Sequence, residues 1–141
     1  MSQTILASQI MTSNVVVANL NNKFSQVMEF FTTYKVQHLP IAFDDKLLGI
    51  LSVNDMASYL SNRIKNNEPT DAASLEAAFE ISEVMTHHPT SVGVDDTLER
   101  ILEILAEGKF QAVPVLKDGL VHGIITNKDI VRVYKWQLDN I

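Results

Sequence analysis

Two short stretches of this chain set a hydroxyl and a carboxylate at the same spacing: Ser52-Val53-Asn54-Asp55 and Thr126-Asn127-Lys128-Asp129. Each follows a glycine and two apolar residues, Gly49-Ile50-Leu51 or Gly123-Ile124-Ile125, and each leads into residues with helical apolar spacing. One chemistry for this pattern is local. A hydroxyl three residues before an acid caps a helix, the hydroxyl accepting from an orphan N–H and the acid lying against the positive end of the helix dipole. A second chemistry is recognition. A carboxylate accepts two hydrogen bonds at once, and the N–H groups of the same helix start attract anions. The two are compatible, because the hydroxyl can cap while the carboxylate faces a ligand.

The copies differ in charge. The second carries Lys128 beside Asp129 and Arg132 one turn later, where the first has Asn54 and Ser58. A phosphorylated ligand taken from water requires charge compensation. If these positions take such a ligand, Thr126, Lys128, Asp129 and Arg132 are expected to form the stronger, phosphate-bearing site, and Ser52 with Asp55 a weaker, empty or less anionic one. Other chemistries find no support. Cysteine is absent, which excludes disulfides, thiolate metal sites and cysteine nucleophiles. Adjacent His87 and His88 on an extended segment point in different directions, and no H-E-x-x-H is present, so no metal site is expected. No G-x-S-x-G elbow, G-x-G-x-x-G or Walker-type loop occurs, so no catalysis is expected. The net charge of −6 lacks the basic stripe of a nucleic-acid or membrane-surface binder. The N-terminus has neither a basic n-region nor a long apolar run, and the expectation is a cytoplasmic protein without a membrane span.

The elements that must position these residues repeat. Shifting the second half by 74 residues lays Met85-Thr86 on Met11-Thr12, Pro114 on Pro40, Gly123 on Gly49 and Asp129 on Asp55, without a gap from Ser8 to Leu60. Phe24, Val27, Met28 and Phe31, and likewise Leu98, Ile101, Leu102 and Leu105, recur at i, i+3, i+4, i+7 and predict one helix face in each copy. Asn21-Asn22 and Asp95-Asp96 are the expected N-caps. His38–Phe43 and Ala112–Lys117 read as short strands whose prolines belong at a strand start or an edge. Turn residues then lead into Leu47–Leu51 and Val121–Ile125, followed by a second helix. Each copy is strand–helix–strand–strand–helix with a short lead-in. A unit of ~60 residues alone buries only about 60% of its unfolded surface, so the copies are expected to stack. The division expected is 1–62, a connector at 63–80 made partly helical from Pro69-Thr70-Asp71, and 81–141.

Met-Thr, an apolar-Pro-apolar triplet and G-h-h-[ST]-x-x-D, in that order and twice at one offset, resemble the tandem cystathionine-β-synthase (CBS) domain pair, the Bateman module. The resemblance spans nearly the whole chain and suggests a stand-alone module. It implies an α/β (α+β) fold of two pseudo-twofold-related repeats, each a small three-stranded sheet with two helices on one side. It implies a regulatory module that senses an adenosine-containing ligand, such as AMP, ADP, ATP or S-adenosylmethionine, in a cleft between the repeats, signals to an unidentified partner and requires no cofactor. By the same resemblance, Thr12, Asn14, Val15, Val36, Gln37, His38 and Leu39 would face the adenine in the Asp129 cleft. Thr86, Pro89, Phe110, Gln111 and Ala112 would join Ser52 and Asp55 in the second. A homodimer is implied, with Trp136 as a candidate contact. The competing expectation is an interaction or dimerisation module with no physiological nucleotide.

Overall fold

The computed structural model describes residues 4–141. In chain order the elements are α1 (Ala7–Ile10), α2 (Phe24–Tyr34), β1 (His38–Phe43), β2 (Lys46–Ser52), α3 (Val53–Lys65), α4 (Ala72–Ala78), α5 (Ile81–Val84), β3 (Thr86–His87), β4 (Val92–Gly93), α6 (Leu98–Ala106), β5 (Ala112–Lys117), β6 (Leu120–Thr126) and α7 (Asn127–Asp139). This is a mixed α/β fold. The chain forms two compact units, one running from Val16 to His88 and the other joining the N-terminal residues up to Val15 with Pro89–Ile141.

Each unit is organised by an antiparallel hairpin with a two-residue turn. Asp44 and Asp45 take φ of 47° and 64°, and Asp118 and Gly119 take 53° and 80°. Left-handed backbone at both turn positions matches the twist of the flanking strands and fixes the register. The same irregularity recurs in both hairpins, between Ile41 and Ala42 and between Val115 and Leu116. Pro40 and Pro114 are the third residues of their strands rather than the first. The physical reason is visible at Pro40. Ala18 pairs parallel to β1, donating to the Pro40 carbonyl at 3.0 Å and accepting from Ala42 N–H at 2.9 Å. Proline's missing donor falls on this side, where pairing is a single bridge.

In the unit from Val16 to His88, Val27 and Phe31 of α2, Leu39 and Ile41 of β1, Leu51 of β2 and Met56 of α3 close on Phe79, Ile81 and Met85. The connector is anchored to this core. Asp71 caps α4, and Glu76 receives Ser25 N–H at 2.9 Å and Ser25 hydroxyl at 2.6 Å. Buried Arg63 donates to the Pro69 carbonyl at 3.0 and 2.7 Å and to Glu68 at 3.0 Å. In the other unit Ile101 and Ile104 of α6, Val113 and Val115 of β5 and Ile125 of β6 pack with Val92 and Ala7.

Helix starts correct two expectations. Lys23, not Asn21 or Asn22, is the N-cap of α2, and Gln26 reaches back to its N–H at 2.8 Å. Asn22 instead accepts from Asn19 N–H inside the preceding turn. Thr97, not Asp95 or Asp96, caps α6, while Asp96 closes a turn by accepting from Gly93 N–H at 2.6 Å. An Asx side chain serves a turn as readily as a cap, and here the turn takes it.

The lead-ins are exchanged between repeats. Thr86 and His87 pair with β2 opposite Ile50 and Gly49, and Thr12 bridges Ile124 of β6. The glycines make this possible. A Cβ on Gly49 would stand 2.5 Å from Met85 Sδ and 2.7 Å from the Thr86 carbonyl; one on Gly123 would stand 2.5 Å from Met11 Sδ and 3.0 Å from the Thr12 carbonyl. Only a residue without a side chain admits the crossing segment.

Candidate functional site

Asp129 is the third residue of α7 and lies buried at 5% exposure. Its carboxylate gathers donors from two distant parts of the chain. Oδ2 accepts from Thr126 N–H at 2.9 Å and from the Thr126 hydroxyl at 3.3 Å. Oδ1 accepts from the Thr12 hydroxyl at 3.1 Å and lies 3.6 Å from Arg132 Nη1. Burial of an ionised carboxylate is tolerated because hydrogen bonds and a cation replace its water. Lys128, exposed, adds a second cation within the first turn.

Asp55 occupies the matching position of α3 and keeps the N-cap N–H as a partner, but differs in the others. It is half-buried, and Oδ2 accepts from Ser52 N–H at 2.8 Å while the Ser52 hydroxyl accepts from Asp55 N–H at 3.0 Å, a complete reciprocal box. Among the described residues no lysine or arginine forms an ion pair with Asp55. Its titratable neighbour is His38, which stands opposite Ser52 in the β1–β2 ladder. Burial holds the His38 imidazole below its ordinary pKa, and the Asp55 carboxylate opposes part of that shift. The ring beside Asp55 is thus kept neutral, and local charge at this carboxylate is negative, whereas at Asp129 two cations outweigh one anion.

The expected groupings can be compared with each unit in turn. Thr12, Asn14, Val15, Thr126, Lys128, Asp129 and Arg132 belong to one unit, and Thr12 bonds Asp129 directly. Asn14 is exposed and Val15 half-buried just beyond that bond. Val36, Gln37, His38 and Leu39 belong to the other unit, where they neighbour Ser52 and Asp55: the Gln37 carbonyl accepts from Val53 N–H at 3.0 Å and His38 faces Ser52. Thr86 shares that unit through its pairing with Ile50. Pro89, Phe110, Gln111 and Ala112 fall in the unit of Asp129, and Ala112 is the ladder partner of Thr126. Within each unit, then, the segment before the first hairpin strand meets the hydroxyl of its own repeat, a pairing set by hairpin register. Sequence reading did not anticipate that Arg132 and Thr12 engage Asp129 itself. The i, i+3 spacing of Asp129 and Arg132 was the available clue to the first; nothing local links residues 12 and 129.

The α7 surface is a second feature. Val131, Tyr134 and Leu138 are 66%, 62% and 52% exposed and fall on one helix face, with Trp136 exposed at 61% on another. No described helix is long and apolar enough to cross a membrane.

Known proteins resemble this chain in sequence and fold. The family model of the CBS domain matches residues 7–62 and 81–135. Homoserine O-acetyltransferase of Methanococcus vannielii is 26% identical over 129 residues, which cover 89% of this chain and 24% of that protein. The chain spans less than half the length of the first curated relatives it matches. The crystal structure of the CBS domain pair of protein MJ0100, in complex with 5′-methylthioadenosine and S-adenosyl-L-methionine, superposes with a TM-score of 0.80 at 23% identity, covering 96% of this chain and 99% of that one. That of CBSX2 in complex with AMP gives 0.76 at 24%, covering 96% and 98%. At these identities the likeness is one of fold.

Proposed function

This chain belongs to the CBS domain family, and on that premise we propose that it is a non-catalytic regulatory module that binds an adenosine-containing ligand at the carboxylate of Asp129. The observation that carries the reading is the charge arrangement there: a buried carboxylate for ribose hydroxyls, neutralised by Arg132 and followed by Lys128 at the start of a 13-residue helix. Asp129 uncompensated would repel a phosphate, whereas with both cations the helix start attracts one. AMP, ADP and ATP are the ligands this favours. Asp55, with a neutral imidazole beside it and no cation, is the weaker site or the one for a less anionic ligand such as S-adenosylmethionine. That solved CBS pairs hold AMP, 5′-methylthioadenosine and S-adenosyl-L-methionine supports the ligand class. Binding transmits a signal only through unequal affinity for two conformations of the module.

Thermal unfolding with AMP tests this. Stabilisation grows as RT ln(1 + [L]/Kd), about 2.7 kcal/mol at a hundredfold excess over Kd. Asp129→Ala should abolish most of the AMP shift and Asp55→Ala should leave most of it; equal loss in both would overturn the asymmetry. A second reading, an interaction module that dimerises without a nucleotide, is favoured by the exposed apolar face of α7 and by Trp136. It predicts a dimer in sedimentation that Tyr134→Glu dissociates, with no thermal shift from any adenine nucleotide at millimolar concentration.

A further inference from the structure

The acceptor capacity of Asp129 is already filled by the protein. An ionised carboxylate offers about four lone-pair positions, and Thr126 N–H, the Thr126 hydroxyl, the Thr12 hydroxyl and Arg132 approach them from hydrogen-bond or ion-pair distance. A ligand diol entering here exchanges partners rather than finding free ones. Two adjacent hydroxyls address both oxygens. On Oδ2 the long 3.3 Å contact from the Thr126 hydroxyl yields by rotation within the same turn, while the backbone N–H stays. On Oδ1 the one hydrogen bond comes from Thr12, because Arg132 stands at 3.6 Å on an exposed side chain that can follow a phosphate.

Thr12 is the donor with consequences elsewhere, because it lies 117 residues from Asp129 in the chain. It terminates an N-terminal segment that the unit holds at a few points. Leu98 N–H donates to the Ile5 carbonyl at 2.8 Å, Ala7 N–H to Asp96 at 2.8 Å and Ser8 N–H to Val94 at 3.0 Å. At the far end Thr12 and Ile124 exchange backbone bonds of 2.9 and 3.1 Å, and Met11 lies on Gly123. The Thr12 side chain adds the fastening that reaches the carboxylate. The first repeat supplies an internal control: Thr86 pairs with Ile50 through the backbone, yet the Asp55 carboxylate receives Ser52 and no hydroxyl from Thr86.

We infer that Thr12 is a latch: its hydroxyl fastens the N-terminal segment to Asp129, and a ligand that claims that carboxylate displaces it and loosens the segment. This rests on the reading of Asp129 as a ligand carboxylate. It assigns the output of the Asp129 site to residues 5–12 and gives the Asp55 site no such output.

Hydrogen exchange of the full chain with and without saturating AMP tests it, together with AMP titration of Thr12→Val and Thr12→Ser. In the wild type, AMP should speed exchange at the Thr12 and Ile124 amides. Thr12→Val removes the hydroxyl at nearly constant shape, so ligand-free exchange over residues 5–12 should rise. AMP should then add no further change, and affinity should tighten by roughly 2- to 10-fold, the worth of one ordinary hydrogen bond. Thr12→Ser should restore wild-type behaviour. Binding with unchanged or slower exchange at residues 5–12 overturns the latch, and so does weaker AMP binding in Thr12→Val, which would make Thr12 a ligand contact. If the wild type binds no adenine nucleotide, the ligand reading and the release both fail. Ligand-free exchange in Thr12→Val still decides whether the fastening itself exists.

Discussion

At the scale of single residues, the two matched aspartates have been given opposite surroundings. Asp129 is enclosed by Thr12, Thr126 and Arg132, and Asp55 is left half-buried beside the neutral ring of His38. His38 makes this difference measurable. Burial lowers its pKa in the folded chain from an unfolded value of about 6.5. As pH falls through that unfolded value, the unfolded chain takes up the proton first. The contribution of His38 to stability is therefore complete above pH ~6.5 and is lost on acidification. NMR titration should place His38 below the ordinary histidine range. Asp55→Asn should lower it further, because the carboxylate is what pulls it back up. A rise in Asp55→Asn would show that the two groups do not face each other. In His38→Gln the fall in melting temperature between pH 7 and pH 5.5 should shrink.

At the scale of elements, the repeat can be read as a comparison of two solutions to one geometry. Both hairpins need left-handed backbone at two turn positions, but one turn uses Asp118-Gly119 and the other Asp44-Asp45. At φ 64° Asp45 carries strain that glycine lacks. Asp45→Gly should raise stability by about 0.5–1 kcal/mol, read as a higher urea midpoint at constant slope. The buried guanidinium of Arg63, held by two bonds to the Pro69 carbonyl, is what seats the connector. Arg63→Ala should cost about 2–4 kcal/mol and free residues 66–79 for early proteolysis. Helix faces, hairpins and turns were legible in the sequence because each depends on residues a few positions apart. The N-caps of α2 and α6 lie one residue beyond the Asx pairs, because Asn22 and Asp96 have a turn to satisfy instead. The exchange of lead-ins was not legible at all. A constant offset aligns Met11-Thr12 with Met85-Thr86, but it carries no information on which hairpin each segment joins. The tight space over Gly49 and Gly123 shows that only in three dimensions.

At the scale of the whole molecule, the units are unequal in chain order: Val16–His88 is continuous, while its companion is assembled from both ends of the chain. Deleting residues 1–12 should therefore loosen β6 and the start of α7, leaving protection of β1 and β2 near its full-length value. Hydrogen exchange by peptide separates the two outcomes, and equal loss in both units would show that they unfold as one. The duplication made the composition of each unit largely legible, since any element found in one copy was expected in the other. The interrupted path of the second unit was the exception. That path also orders the birth of the protein. Because synthesis runs from the N-terminus and units fold as they emerge, the unit closed by Met85 and Thr86 can form while the ribosome is still adding the rest. Residues 4–15 meanwhile wait, unpaired, for a hairpin that arrives more than a hundred residues after them. The segment that covers Gly123 is thus among the first parts of the chain to be made and among the last to be paired, and until then its open backbone is where a chaperone or a second nascent copy would find its opening.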